Sequence, residues 1–169
     1  MIKINTLVSD DPIMVNADSL IEANLDEYNL HRAILNDYQL MSSSLRKASL
    51  RNANLSGANL LKADLTEASL IMCILNNAIL NDAILINATC LYASFKDASL
   101  INADLTNANV SDADFQGALL FGTILDCEEL EKSNLKGALF NDSTVWPEGF
   151  FPLDHGAIYK SVNNTEKLD

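Results

Sequence analysis

The sequence feature that most constrains the fold is an apolar residue at every fifth position. Of the 25 positions numbered as multiples of five from 20 to 140, 20 are Leu, and the other five are Phe, Val or Cys. Two residues before these positions, from 23 to 138, the residue is Ala in 17 of 24 cases. The chain therefore repeats a five-residue unit with two apolar places and three variable ones.

A period of five excludes the common regular structures. In an α-helix five residues advance about 500°, so the leucines would wind around the helix instead of lining one side. In a flat strand an odd spacing would place successive leucines on opposite faces, and a coiled coil needs a spacing of about 3.5. The spacing instead predicts a chain that bends once in each unit, so that four units close a coil and successive coils stack as a solenoid.

The residue types in the repeated unit support this interpretation. The variable places hold many Asn, Asp, Ser and Thr residues, as in ADLTE at 63–67 and ADLTN at 103–107, and these residues tolerate turns. Such units resemble the pentapeptide-repeat family, whose motif reads A(D/N)LXX. The resemblance implies an all-β fold, the right-handed quadrilateral β-helix, with about 6.5 coils in this chain.

The two ends of the chain depart from the repeat and are predicted to cover the open ends of the solenoid, which would otherwise expose unpaired backbone. We expect an N-terminal cap at 1–15, a pentapeptide-repeat β-helix at 16–145, and a C-terminal capping tail at 146–169. The tail contains Trp, Phe, Tyr and Pro, and we expect its last residues to be mobile. The run TVWPEGF at 144–150 is also similar to the tail of cyanobacterial family members.

Several residues at inward places predict local features. Tyr28 and Tyr38 stand where the repeat has Ala, so we expect wider or distorted first coils with the rings pushed outward. Glu128 also takes an inward place, and a buried carboxylate is costly, so we expect a bulge or short helical turn near 126–132 that turns it to solvent. Phe95 and Phe115 are one coil apart and are expected to be neighbours inside.

No residue pattern indicates catalysis, a cofactor or a metal site, so we expect a non-enzymatic protein. His31 and His155 lie far apart and belong to no motif. Cys73, Cys90 and Cys127 have no matched spacing, which favours buried free thiols over a disulfide or a metal site. The chain has no long apolar run and its start has no signal-peptide pattern, so we expect a cytoplasmic protein that does not bind membranes.

One side of the rod is predicted to present an apolar stripe. Residues one coil apart stack on the same side, and on this side the outward places hold large apolar residues, whereas equivalent places elsewhere are mixed or polar. Such a stripe can mark contact with another protein or a homodimer interface. Alternatively, the N-terminal segment or the tail covers it, or these are scattered exposed residues. The stripe consists of Ile21, Met41, Leu61, Ile79, Ile101, Leu119, Phe121 and Leu139.

The charge distribution offers a second functional hypothesis. The net charge is −12, which disfavours direct binding to nucleic acid, and residues 63–142 alone have three Lys and twelve acidic residues. Some pentapeptide-repeat proteins imitate DNA and protect gyrase. DNA has about one charge per 1.7 Å, so a length equal to four coils, about 19 Å, has about 11 charges. The net charge of residues 63–142, −9, is of similar size. However, a band of basic residues interrupts the negative surface of the rod. The first hypothesis is therefore a rigid protein-binding surface, and the alternative is a DNA-mimic modulator of a type II topoisomerase. The band consists of Arg46, Lys47, Arg51 and Lys62.

Overall fold

The fold is a stack of coils around one apolar column, in a computed structural model that describes residues 1–8 and 11–161. Every fifth residue from Leu25 to Leu135 has a relative exposure of at most 1%. The Ala residues that stand two positions before these residues are equally buried, from Ala33 to Ala118. The inward assignment made from the spacing is therefore confirmed. The predicted mobile end of the tail falls mainly on 162–169, outside the described residues.

Backbone hydrogen bonds join each coil to the next at four places. The residue before an inward residue forms parallel bridges with the residues 20 positions before and after it, as Asn59 does with Gln39 and Ile79. The bridges of Asn109 with Glu128 and of Ile124 with Val145 are each shifted by one residue from this register. Four such series of bridges run along the rod, one for each unit of a coil. Each corner is a turn closed by a further bond, as from the Ala63 N–H to the Leu60 carbonyl at 2.9 Å.

Regular strands are few because each side of a coil is only long enough for one bridge. Within the part of the chain that the structure describes there are four short strands and two 3₁₀-helices. The strands are β1 (Ile2–Ile4), β2 (Ile13–Val15), β3 (Leu139–Phe140) and β4 (Ile158–Tyr159). The 3₁₀-helices are Leu130–Lys132 and Pro152–His155.

The corners place non-glycine residues in the left-handed backbone region. The second central residue of each turn has a φ near +57°, as in Asn77 at 57° and Asp82 at 55°. Asn and Asp tolerate this conformation better than other residues with a side chain. Met72 and Tyr92 adopt the same conformation with φ values of 56° and 57°, although neither residue type favours it.

Hydroxyl groups that replace Ala inside the rod find backbone partners. The Thr123 hydroxyl donates to the Leu100 carbonyl at 2.7 Å, and the Ser133 hydroxyl donates to the Val110 carbonyl at 2.8 Å. Both side chains are buried. Because each hydroxyl is bonded, these replacements avoid the cost of an unsatisfied buried polar group.

The residues predicted to disturb the coil do so to different degrees. Tyr28 and Tyr38 are half-buried and pack against the core, yet the coils keep their register there, with the Asn59 N–H bonded to the Tyr38 carbonyl at 2.9 Å. The distortion expected at the first coils is therefore absent from these backbone bonds, because the rings fit at the edge of the core. The prediction for Glu128 is confirmed: it is exposed, and a 3₁₀-helix follows at Leu130–Lys132.

The N-terminal segment forms a hairpin at the start of the rod. Strand β1 pairs antiparallel with β2, with Ile2 opposite Val15. The Asn5 carbonyl then accepts from the Ile34 N–H at 2.8 Å, so residues after β1 bond to the edge of the first coil. Ile4 and Val15 are buried against the column.

The C-terminal segment adds an aromatic cluster at the other end. Strand β4 pairs parallel with β3, with Leu139 opposite Ile158. The ring of Trp146 meets that of Phe140 edge-on, with centres 5.3 Å apart, and stacks on Phe150 at 5.4 Å. The rings therefore lie at the last inward residue, Phe140, where the apolar column ends.

Candidate functional site

The residues of the predicted apolar stripe fall into two adjacent columns on one side of the rod. One column follows a bridge series, in which Ile79 pairs with Ser99, and Leu119 pairs with Ser99 and Leu139. The other column follows the corners, where the Asp82 N–H bonds to the Ile101 carbonyl at 2.9 Å and the Asn102 N–H bonds to the Phe121 carbonyl at 3.0 Å. Residues of the two columns flank the same inward residues, so they lie on one surface.

The stripe is exposed to differing degrees, and polar residues stand among its members. Ile21 and Ile79 are the most exposed members, at 39% and 40%, and the other six are half-buried. Gln39, Asn59, Asn81 and Ser99 occupy places in the same two columns. The structure thus brings the eight residues to one side, where polar residues alternate with them up to Ser99 and the apolar members are contiguous beyond it.

The C-terminal tail meets the stripe at its end. The N-terminal segment bonds to the coil at a different corner, where the Leu7 N–H meets the Arg32 carbonyl at 3.0 Å. The tail strand β4 pairs with Leu139, the last stripe residue, and its Ile158 is 46% exposed and extends the bridge series by one place.

Further exposed apolar side chains lie outside the stripe, in the middle of the rod. Met72 is 55% exposed and Tyr92 is 60% exposed, and both stand at corners on another side. Ile74 and Ile84 are also exposed on their own sides. Sequence reasoning missed this group because it followed one side along the rod. The signal that could have found it is the concentration of apolar residues at outward places between 71 and 92.

Two residues of the basic band form ion pairs within the rod. The Arg46 guanidinium lies 2.9 Å from the Asp64 carboxylate, and the Lys47 ammonium lies 3.7 Å from Glu67. Partial burial alone would raise the pKa of Asp64, but hydrogen bonds from Thr66 and Arg46 outweigh it and hold the pKa below its usual value. The basic band is therefore partly neutralised by the acidic residues of the next coil.

Several carboxylates of the acidic part bond to their own turns. Asp104 accepts from the Thr106 N–H at 2.9 Å, and Asp114 accepts from the Gln116 N–H at 3.0 Å. Asp114 also lies 3.0 Å from the Lys96 ammonium. These acidic side chains thus stabilise corners, in addition to giving the surface its negative charge.

The thiols and imidazoles form no reactive cluster in the structure. Burial raises the pKa of Cys73 and of Cys90 well above the usual value, and it raises the pKa of the half-buried Cys127 to about 12. All three are free. His155 stacks on Phe150 with ring centres 4.5 Å apart. A search of 1–8 and 11–161 finds no group of His, Cys, Asp and Glu able to hold a metal ion.

No helix in the described ranges is long and apolar enough to cross a membrane.

An apolar cavity lies at the C-terminal end of the rod. The cavity has a volume of about 360 Å³. Tyr159 closes one side of it, and its hydroxyl donates to the Asp142 carboxylate at 3.0 Å, which raises the pKa of this tyrosine. The lining consists of Phe140, Phe151, Pro152, Leu153, Asp154 and Tyr159.

The sequence is similar to pentapeptide repeat proteins. The family model for pentapeptide repeats matches residues 43–82, 63–100 and 83–125, with eight copies. HetL from the cyanobacterium Nostoc sp. strain PCC 7120, a pentapeptide repeat protein involved in heterocyst differentiation regulation, is 30% identical over 74% of this chain, with a TM-score of 0.37. This chain spans 55% of the length of HetL.

Two further solved structures are similar. Another Nostoc PCC 7120 pentapeptide repeat protein is 30% identical, and the match covers 69% of this chain and 84% of that one, with a TM-score of 0.37. A pentapeptide repeat protein from the Arabidopsis thaliana thylakoid lumen is 27% identical over 58% of this chain and 65% of that one, with a TM-score of 0.47. No curated protein matches the sequence. The chain belongs to the pentapeptide repeat family.

Proposed function

We propose that this protein is a non-enzymatic rod that binds another protein through its apolar stripe. The observation that supports the proposal is the backbone-fixed alignment of Ile101, Leu119 and Phe121 on one side. A contiguous apolar surface loses contact with water when a partner covers it, and such surfaces often mark interaction sites. Because bonds to both neighbouring coils hold the stripe, little backbone entropy is lost when a partner binds.

A paired substitution tests this function. The double variant Ile101→Asp with Phe121→Asp should abolish capture of a specific partner from the source cell, while circular dichroism stays native. The matched control is Ile84→Asp with Ile86→Asp, which makes the same change beside one inward residue on the adjoining side. Partner capture that survives the stripe variant, or that is lost equally in the control, would argue against the stripe.

The acidic part supports a second candidate, a DNA-mimic modulator of a type II topoisomerase. Residues 63–142 have a net charge of −9, which favours contact with a DNA-binding protein. The ion pairs from Arg46 and Lys47 to acidic residues of the next coil oppose it, because they interrupt the negative surface. A gyrase supercoiling assay decides: dose-dependent inhibition or protection supports mimicry, and no effect at micromolar protein removes it.

We also infer the finer features of the fold. A right-handed coil of about 6.5 turns is supported by the chirality of β crossovers and by the series of bridges 20 residues apart. A division into a cap at 1–15, a β-helix at 16–145 and a tail at 146–169 is supported by the hairpin of β1 and β2 and by the aromatic cluster around Trp146. Deletion of the tail should then lower the melting temperature by exposing Phe140.

A further inference from the structure

A column of stacked corners, on a side of the rod away from the apolar stripe, changes chemical character along its length. Backbone bonds hold its members in line: the Asn52 N–H meets the Ile71 carbonyl at 2.9 Å, and the Met72 N–H meets the Leu91 carbonyl at 2.9 Å. We name this surface the corner column. It comprises the turn residues 31–32, 51–52, 71–72, 91–92 and 111–112, and beyond them residues 131–132 of the 3₁₀-helix Leu130–Lys132.

The corner column is basic at one end, apolar in the middle and acidic at the other end. Arg32 and Arg51 are exposed at the first two corners. Ile71, Met72, Leu91 and Tyr92 form the two middle corners. Asp112 and Glu131 are exposed at the last two, where the neighbouring Lys132 is paired with Glu129.

The two middle corners combine an unfavourable backbone conformation with apolar side chains that stay exposed to water. Met72 and Tyr92 stand at positive φ, where the turn favours Gly or Asn, and their side chains remain 55% and 60% exposed. If these side chains packed inside the rod, the free energy gained by burying them would offset the cost of the backbone conformation. Since these two residues are not buried in the chain, a surface outside it is the natural source of compensation.

The charged ends are only partly compensated within the chain, where Lys132 lies near enough to Glu131 and Asp112 for their charges to help raise its pKa. Among the ion pairs between described residues, none includes Arg32, Arg51 or Glu131. The Asp112 carboxylate accepts a bond from the adjacent Ser111 hydroxyl at 3.1 Å. On another side of the rod, by contrast, Arg46 is paired with Asp64 of the next coil.

We propose that the corner column binds a second copy of this chain in antiparallel orientation. A two-fold axis between corners 71–72 and 91–92 pairs each corner with the one equally far on the other side of the axis. Met72 then meets Tyr92 of the second copy, Arg51 lies opposite the corner that contains Asp112, and Arg32 lies opposite the 3₁₀-helix that contains Glu131. Each contact occurs twice, as in a closed isologous dimer.

The size of the surface sets the expected strength of the dimer. Six corners at about 4.8 Å per coil span about 24 Å, so the contact is narrow and lies at the small end of specific interfaces. The net charge of −12 also repels a second copy, and the local pairing of basic and acidic ends has to overcome this repulsion. We therefore expect a reversible dimer with a dissociation constant in the micromolar range.

Charge reversal tests the proposal on the full chain by sedimentation velocity across a concentration series. Arg51→Glu and Asp112→Arg should each raise the dissociation constant about tenfold or more, because each places like charges opposite one another. The combined variant should restore it to within about threefold of the wild-type value, because the pairing is re-formed with the charges exchanged. Tyr92→Asp should leave the chain monomeric.

A matched control removes the effect of net charge alone. Lys62→Glu makes the same charge change as Arg51→Glu at a corner on another side, and it should leave the dissociation constant within about threefold of wild type. Circular dichroism of every variant should stay native. A wild-type chain that stays monomeric at several hundred micromolar overturns the proposal. A combined variant that associates as weakly as the single ones, or single variants that associate as well as wild type, also overturns it.

Discussion

The rings of Phe95 and Phe115 lie face to face inside the rod, with centres 4.9 Å apart and planes within 3° of parallel. Neither side chain is exposed to solvent. Because the residues replace Leu at equivalent places of consecutive coils, the stacking follows directly from the 20-residue repeat. Phe115→Ala should therefore lower the free energy of unfolding by about 3–5 kcal/mol, since it removes a fully buried ring and leaves a cavity.

The matched control for that substitution is Phe151→Ala, because Phe151 is 68% exposed. Urea denaturation monitored by circular dichroism should give this variant a free energy of unfolding within about 1 kcal/mol of the wild-type value. Equal losses for the two phenylalanines would contradict the placement of Phe115 in the column.

The hydroxyl of Thr123 should contribute to stability through its bond to the Leu100 carbonyl. Thr123→Val keeps the shape of the side chain, removes the donor, and leaves the buried carbonyl with one partner fewer. We expect a loss of about 1–2 kcal/mol in the free energy of unfolding, measured by denaturant titration. An equally stable Val variant would show that the bond makes no net contribution.

The ion pair between Arg46 and Asp64 should make a small contribution to stability that depends on pH. The folded state lowers the pKa of Asp64, so its charge stabilises the fold above the pKa of the unfolded carboxyl, and the contribution is lost as the pH falls through the folded pKa. Asp64→Asn should cost about 1 kcal/mol or less at pH 7, and the difference from wild type should vanish in strong acid.

Asp104→Asn is the control for that measurement. Asp104 accepts the same two bonds from Thr106 that Asp64 accepts from Thr66, and no ion pair between described residues includes it. Thermal melts at neutral and acidic pH should therefore show a smaller loss for Asp104→Asn than for Asp64→Asn. Identical pH profiles for the two variants would mean that Arg46 is not the cause.

The three thiols should resist alkylation in the folded protein. Burial raises the pKa of Cys73 and Cys90, and the pKa of Cys127 is about 12, so all three are protonated at mildly basic pH. The thiolate is the reactive form. Mass spectrometry after iodoacetamide treatment should show no modification in native buffer and three modified cysteines in denaturant. Rapid native labelling of Cys127 would contradict its placement.

Much of the fold could be predicted from the sequence because one short period sets every inward place. The burial of Leu75, the stacking of Phe95 on Phe115 and the 3₁₀-helix near Glu128 all follow from where the period holds and where it meets an unsuitable residue. The effect of Tyr28 was predicted less well. The repeat predicts which positions point inward, but it does not predict how much space the edge of the core leaves for a large ring.

The caps and the outward surface were harder to predict, for physical reasons. The pairing of Ile2 with Val15 is outside the repeat, so no register constrains it in advance. The repeat leaves outward places free, so Met72 and Tyr92 stood out only once the corners showed their positive φ and their exposure. The stripe residues stand on one side as the spacing placed them, and their partner stays a proposal.

The inward and outward assignment, on which every surface described above depends, is tested most directly by two lysine substitutions in one unit. Leu75 is fully buried and Asn77 is an exposed corner residue, a place where Lys47 and Lys62 stand in other coils. Thermal melting by circular dichroism should show that Leu75→Lys unfolds the middle coils, because it buries an unpaired charge. Asn77→Lys should melt close to wild type. A normal melting curve for Leu75→Lys would contradict the assignment.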